Sequence, residues 1–243
     1  MSILEQIQVG LKKLNLDAIP GSPFDNPFNV FNKDPELVSL VVLGTNGNIT
    51  DAEKTNLQWV EERALQPEYS HVESGDWGKT PLQGELLKLP DVLNSCFDEV
   101  LFSKEHMILT NGLLLASAGV KDIGKQFKAL KENGSNFNSK KELITASMSF
   151  FKEYTLSFSK PKVIFAYGNA NSNDSAWKYI KDNFNVIREI APIPKTSVSS
   201  YKFCLIELNG HEIPVIGSPH LSYGYNKLDV KLIKQGLIGL GIF

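Results

Sequence analysis

A chain of 243 residues can bury a full hydrophobic core, as one large α/β domain or as two small ones. Its 42% hydrophobic and 21% charged residues are ordinary for a globular protein and argue against disorder, and no apolar run is long enough to span a membrane. The net charge of −2 at pH 7, with Arg63 and Arg188 the only arginines, predicts no strong non-specific hold on a polyanion.

In chain order, Ile3, Ile7, Leu11 and Leu14 recur at helical spacing and predict a helix over Ser2 to Leu14. The Pro- and Asn-rich stretch Ile19 to Asn32 reads as an extended arm. An apolar run from Leu37 to Leu43 reads as a buried strand ending in the loop Gly44-Thr45-Asn46-Gly47-Asn48. Thr50 or Asp51 then caps a helix to about Leu65. Gln66 to Lys79 reads as loop around Gly75-Asp76-Trp77-Gly78, and Leu82 to Leu93 as helix. A second strand, His106 to Leu109, is expected to end in Thr110-Asn111-Gly112, with helices over Val120 to Lys131 and Lys140 to Phe158. Val163 to Tyr167 predicts a third strand, closed by Gly168-Asn169, and Asp174 to Phe184 a short helix. Tyr201 to Leu208 and Glu212 to Ile216 flank Asn209-Gly210, a strong hairpin signal, and the second arm runs into Gly217-Ser218-Pro219-His220-Leu221-Ser222. A last helix covers Lys227 to about Leu237.

Strands alternating with helices predict a largely parallel sheet covered on both faces, and ligands in such folds bind beyond the carboxyl ends of the strands. Three stretches there carry polar chemistry. The Gly44–Asn48 loop lacks the spacing of a P-loop or a dinucleotide fingerprint, so it is either a plain turn or a tight loop presenting Asn46 to a ligand. Asn111 offers a donor and an acceptor together, which suits the O4/N3–H edge of uracil and equally suits a turn backbone. Ser218 to Ser222 is either a proline-punctuated turn or a source of one hydroxyl and one imidazole, His220, able to stabilise an anionic leaving group.

The order and spacing of Gly44-Thr45-Asn46-Gly47-Asn48, Ile108-Leu109-Thr110-Asn111, Pro161-Lys162-Val163-Ile164-Phe165-Ala166-Tyr167-Gly168 and Ser218-Pro219-His220-Leu221-Ser222-Tyr223 resemble the uracil-DNA glycosylase superfamily over roughly Leu37 to Leu237. The chain departs from the family pattern at Gly47, where a proline is usual, and at His220, which stands two or three residues late. With only Cys96 and Cys204, it lacks the cysteines of the iron–sulfur branch.

The resemblance implies a three-layer α/β/α sandwich with a central, mostly parallel sheet of about four strands. It makes residues 37–243 the family-like domain, with residues 1–36 a helix and arm packed on it. It also implies hydrolysis of the N-glycosidic bond of uracil or another deaminated base in DNA, with no metal or cofactor. Asn46 would orient the water and His220 would stabilise the leaving base. Asn111 would read the base with Gly44, Thr45 and a stacking Trp77. Lys79, Gly168, Asn169, Ser218 and Ser222 would contact the DNA, with Leu221 entering the gap left by the flipped base. Structural readings stand beside these roles, Trp77 as a loop anchor and Leu221 as packing under the last helix. The alternative function is an inactive module of the same fold that binds a nucleobase, a nucleotide or a single strand; an α/β enzyme acting on another ligand is the weakest reading. The opening Met1-Ser2-Ile3-Leu4-Glu5 does not resemble a signal peptide, and the cysteine usage suits a reducing cytoplasm.

Overall fold

Four apolar runs form the parallel centre of one sheet: β2 (Leu40–Asn48), β3 (Met107–Ser117), β4 (Val163–Tyr167) and β8 (His211–Ser218). They lie in the order β3-β2-β4-β8, and each pairs in parallel with its neighbour. Strand β3 is buried at every position, as expected of a strand covered on both faces. The computed structural model describes residues 3–21, 24–25, 38–48, 54–66, 72, 75, 78–159, 161–171, 174–222 and 227–243.

The sheet as a whole is mixed and wider than the four mostly parallel strands expected. On one side the short β1 (Phe24–Asp25) pairs antiparallel with β3. On the other, β7 (Ser200–Leu208) pairs antiparallel with β8, and β5 (Asn185–Glu189) with β7. The two-residue β6 (Ile193–Pro194) also pairs with β7. A two-residue turn can only join antiparallel strands, so the β7–β8 hairpin imposes this change of direction. Asn209 and Gly210 both have positive φ, 53° and 79°, which matches the hairpin turn their sequence predicts.

Helices cover both faces. These are α1 (Ile3–Lys13), α2 (Asn56–Ala64), α3 (Pro81–Leu86), α4 (Leu89–Phe97), α5 (Ile123–Glu132), α6 (Lys140–Phe150), α7 (Ser157–Ser159), α8 (Ala176–Asn183) and α9 (Val230–Gly239). Gly217 of β8 sits against the Trp177 ring of α8, while Phe203 of β7 sits against Gly236 of α9. Lys202 is the cross-strand partner of Gly217, and Phe203 is that of Ile216. Successive strand residues face opposite ways, so α8 and α9 lie on opposite faces. Gly112 of β3 faces Tyr179 of α8 and Met148 of α6, which puts α6 on the α8 side. Helix α4 packs on α9. Ile7 and Leu11 of α1 belong to the same buried core as the sheet.

Several boundaries differ from expectation for local reasons. The stretch Leu82 to Leu93 forms two helices, because Pro90 cannot donate to the Leu86 carbonyl and its ring crowds that group. The helix expected from Lys140 to Phe158 widens into a π turn over Phe151–Leu156 before α7. Ser175, Asp229 and Ser139 cap α8, α9 and α6 through side-chain oxygens that accept from the third residue of each helix. The expected caps Thr50 and Asp51, and most of the Gln66–Lys79 loop, lie outside the described residues.

Candidate functional site

The largest correction concerns the first two expected loops. Gly44 to Asn48 and Thr110 to Gly112 are not loops; they continue β2 and β3. The two strands pair through Gly44–Asn111 and Asn46–Leu113, with an irregularity between Asn46 and Asn48. The buried run Leu113-Leu114-Leu115 gives β2 a partner beyond Leu43, and that pairing outweighs the weak strand preference of Gly and Asn. Only β4 ends where its loop was expected; β8 runs on through Gly217 and Ser218, which pair with Ala166 and Tyr167 of β4.

Within this lengthened sheet, Asn111, Gly44 and Tyr167 lie beside one another on one face of β3, β2 and β4. Gly44 has no side chain, and the space above it is occupied. A methyl group there would collide with the Tyr167 hydroxyl and stand 2.8 Å from Asn111 Oδ1. Asn111 is 8% exposed and Thr45 6% exposed, so both present their polar groups in a largely dry setting. Tyr167 is half-buried, and its ring meets the His220 imidazole edge-on, with centroids 5.6 Å apart and planes at 74°. Gly168, at φ 90°, lies between Thr45 and His220; a side chain there would be strained and would press on Thr45 Oγ1 at 3.3 Å. Asn111, Gly44, Thr45, Tyr167, Gly168 and His220 therefore gather at one place.

Burial holds the His220 pKa below its ordinary value of 6.5, so the imidazole is neutral at neutral pH. Its Nδ1 accepts from the Ser222 N–H at 3.3 Å, which leaves the neutral ring's proton on Nε2 as a donor. Asn46 is turned elsewhere. Its amide nitrogen donates to Ser117 Oγ at 2.7 Å, to the Gly47 carbonyl at 2.9 Å and to the Leu115 carbonyl at 3.4 Å.

The remaining expected contacts are mostly spent on the fold. Ser218 is fully buried, and its hydroxyl donates to the Pro219 carbonyl. Leu221 is 1% exposed and packs in the core, so it presents no side chain to a strand of DNA. The Gly168 N–H donates to the Ser218 carbonyl, and its own carbonyl accepts from Trp177 N–H. The Asn169 amide donates to the Ser200 and Gly217 carbonyls at 2.7 and 3.0 Å. Ser222 and Lys79 are exposed, the latter just ahead of the Thr80 cap of α3. Trp77 lies outside the described residues.

Two site residues escaped the sequence reading. Tyr167 ends an apolar strand directly before a positive-φ glycine, which was its one signal. Lys202 donates to the Asn169 carbonyl and, at 2.8 Å, to Asn171 Oδ1, tying down the segment after β4. Partial burial lowers its pKa. Cys96 and Cys204 are buried free thiols whose pKa values burial raises to about 11 and about 12, so neither is a ready nucleophile. Among the described residues no group of three or more His, Cys, Asp or Glu is placed to hold a metal ion, and no helix is long and apolar enough to cross a membrane. Comparison with family models, with curated proteins and with solved structures finds no match.

Proposed function

We propose that this chain is a uracil-DNA glycosylase-like protein that recognises a nucleobase at Asn111 and supports hydrolysis of its N-glycosidic bond in DNA. The carrying observation is the buried Asn111 amide beside bare Gly44, next to Tyr167 and, through it, His220. The parallel centre in the order second, first, third, fourth, with helices on both faces, supports a three-layer sandwich of the kind the motif order implies.

In this reading a nucleotide leaves the base stack and its base edge meets the Asn111 amide. Water attacks the sugar carbon, the glycosidic bond breaks, and its electron pair leaves with the base. A neutral His220 donates from Nε2 to the base oxygen as negative charge grows, a contribution of about 2.7–4 kcal/mol in comparable oxyanion sites. Hydrolysis requires Asn46, whose amide nitrogen is held by Ser117 and two backbone carbonyls, to present its carbonyl oxygen to the water. That oxygen orients the water without abstracting its proton, which passes to solvent as the departing base anion takes one up. DNA in a cytoplasmic setting, with no metal or cofactor, belongs to the same proposal.

The engagement of Asn46 favours a second reading, in which the same pocket binds a base or nucleotide without hydrolysis. A single-turnover assay on single- and double-stranded oligonucleotides carrying uracil, hypoxanthine or xanthine separates the two. Abasic product from the wild type and none from Asn111→Ala supports hydrolysis. Base binding that depends on Asn111, without product, supports the second reading, and the loss of both removes the pocket from consideration.

A further inference from the structure

Asparagine is followed by glycine at Asn46-Gly47, Asn111-Gly112, Asn133-Gly134 and Asn209-Gly210. Such a pair is chemically unstable, because no side chain shields the glycine's backbone nitrogen from the neighbouring amide. That nitrogen bonds to the asparagine Cγ, the Cγ–Nδ2 bond breaks, and Nδ2 leaves as ammonia with the proton the glycine nitrogen gave up. The cyclic imide left behind takes up water at one carbonyl or the other, giving aspartate or isoaspartate. The backbone must rotate before the nitrogen can reach Cγ, so the fold decides the fate of each pair.

Three of the pairs are restrained. Asn111 and Gly112 lie inside β3, where Asn111 is 8% exposed and Gly112 is backed by the Tyr179 ring. Asn46 and Gly47 lie inside β2, and the Asn46 amide nitrogen is engaged by Ser117 and two backbone carbonyls. Asn209 and Gly210 are exposed, but the pairs Leu208–His211 and Glu207–Glu212 hold their turn from both sides. The Gly210 N–H also donates to the Glu207 carboxylate at 2.9 Å. That bond, with one from Asn185, lowers the Glu207 pKa, and a fixed negative charge opposes removal of the proton it faces.

Asn133 has none of these restraints. It closes α5, both it and Gly134 are exposed, and its side chain makes no hydrogen bond among the described residues. The turn is held only by backbone bonds, Gly134 N–H to the Lys131 carbonyl at 3.1 Å and Ser135 N–H to the Leu130 carbonyl at 3.3 Å. A closing turn of this kind opens at the lowest cost of any part of a helix. Nothing stands within 4 Å of the place where a Gly134 side chain would be.

We propose that Asn133 is a site of spontaneous modification, converted to aspartate and isoaspartate by attack of the Gly134 nitrogen well before the other three pairs react. The product adds one negative charge to a chain of net −2, at a helix end whose dipole already disfavours it. Isoaspartate also lengthens the backbone by one carbon, which puts the closing bonds from Gly134 and Ser135 out of register and uncaps α5 where it packs on β3. The same ranking leaves the amides of Asn46 and Asn111 intact.

The test is peptide mapping by mass spectrometry of the full chain held in warm, mildly alkaline buffer, native and in urea. In the native protein, acid forms are expected at Asn133 roughly tenfold faster than at Asn209, and more slowly still at Asn46 and Asn111. In urea the four pairs should convert at comparable rates. Asn133→Gln, whose longer side chain closes a larger ring more slowly, should melt with the wild type and lose the early acidic form seen by isoelectric focusing. A different pair leading in the native protein overturns the proposal, as does an unconverted Asn133 when the urea sample has reacted throughout. The same ranking in urea also overturns it, since the cause would then lie in the sequence and not in the fold.

Discussion

The Tyr167 hydroxyl lies over the bare Cα of Gly44, so the absence of one side chain in β2 makes room for another from β4. Gly44→Ala is expected to destabilise the protein by about 1–3 kcal/mol, the usual cost of forcing extra volume into a packed site. Tyr167→Ala should relieve most of that cost. Denaturant unfolding of the two single variants and the double variant checks it; strictly additive losses would show that the two positions do not meet.

Acid sensitivity follows from His220. Its folded-state pKa lies below the ordinary 6.5, so the unfolded chain takes up the proton first as pH falls. The stability tied to the neutral ring is complete above pH 6.5 and is lost as pH drops through the folded value. Thermal melts from pH 7.5 to 5 should fall more steeply for the wild type than for His220→Gln. Parallel curves would contradict this.

Asn46 makes a sharp prediction because its amide nitrogen donates to two backbone carbonyls and the Ser117 hydroxyl. In Asn46→Asp a carboxylate oxygen would face the Gly47 and Leu115 carbonyls with nothing to donate. A loss of about 1–3 kcal/mol is expected, from unpaired groups and repulsion, in place of a gain in hydrolytic rate. Unfolding midpoints and base release from uracil-containing DNA, measured together, decide it.

Leu221→Ala is expected to act on the fold. The side chain is 1% exposed, so its removal leaves a cavity costing about 2–5 kcal/mol. Nucleic-acid affinity per folded molecule should be unchanged. Weaker binding at full stability would restore a direct contact for this leucine.

Much of the frame was legible because its signals are local. Asn209-Gly210 marks a hairpin whatever surrounds it, and the strand Val163–Tyr167 matches its expected limits. The ends of β2 and β3 were not legible, because Gly44-Thr45-Asn46-Gly47-Asn48 looks like a turn until Leu113 to Ser117 is laid beside it. Strand β5 was missed for a related reason: four of its five residues are exposed, so no apolar alternation announces it. At the site, Asn111 and His220 stood out by chemistry. Tyr167 resembles any aromatic at the end of a strand, and its role arises only from the space above Gly44.

The order β3-β2-β4-β8 also bears on how the chain finds its fold. The β7–β8 hairpin joins residues close in sequence, so its turn can close early and cheaply. The parallel centre has no such shortcut: β2 must pair with strands that begin at Met107 and Val163, and β4 must wait for β8. A topology of this kind has high contact order and folds slowly. Until the centre is assembled, the largely apolar β3 is a strand with open edges. Refolding yield is therefore expected to fall with the time β3 waits for β2 and to rise on dilution.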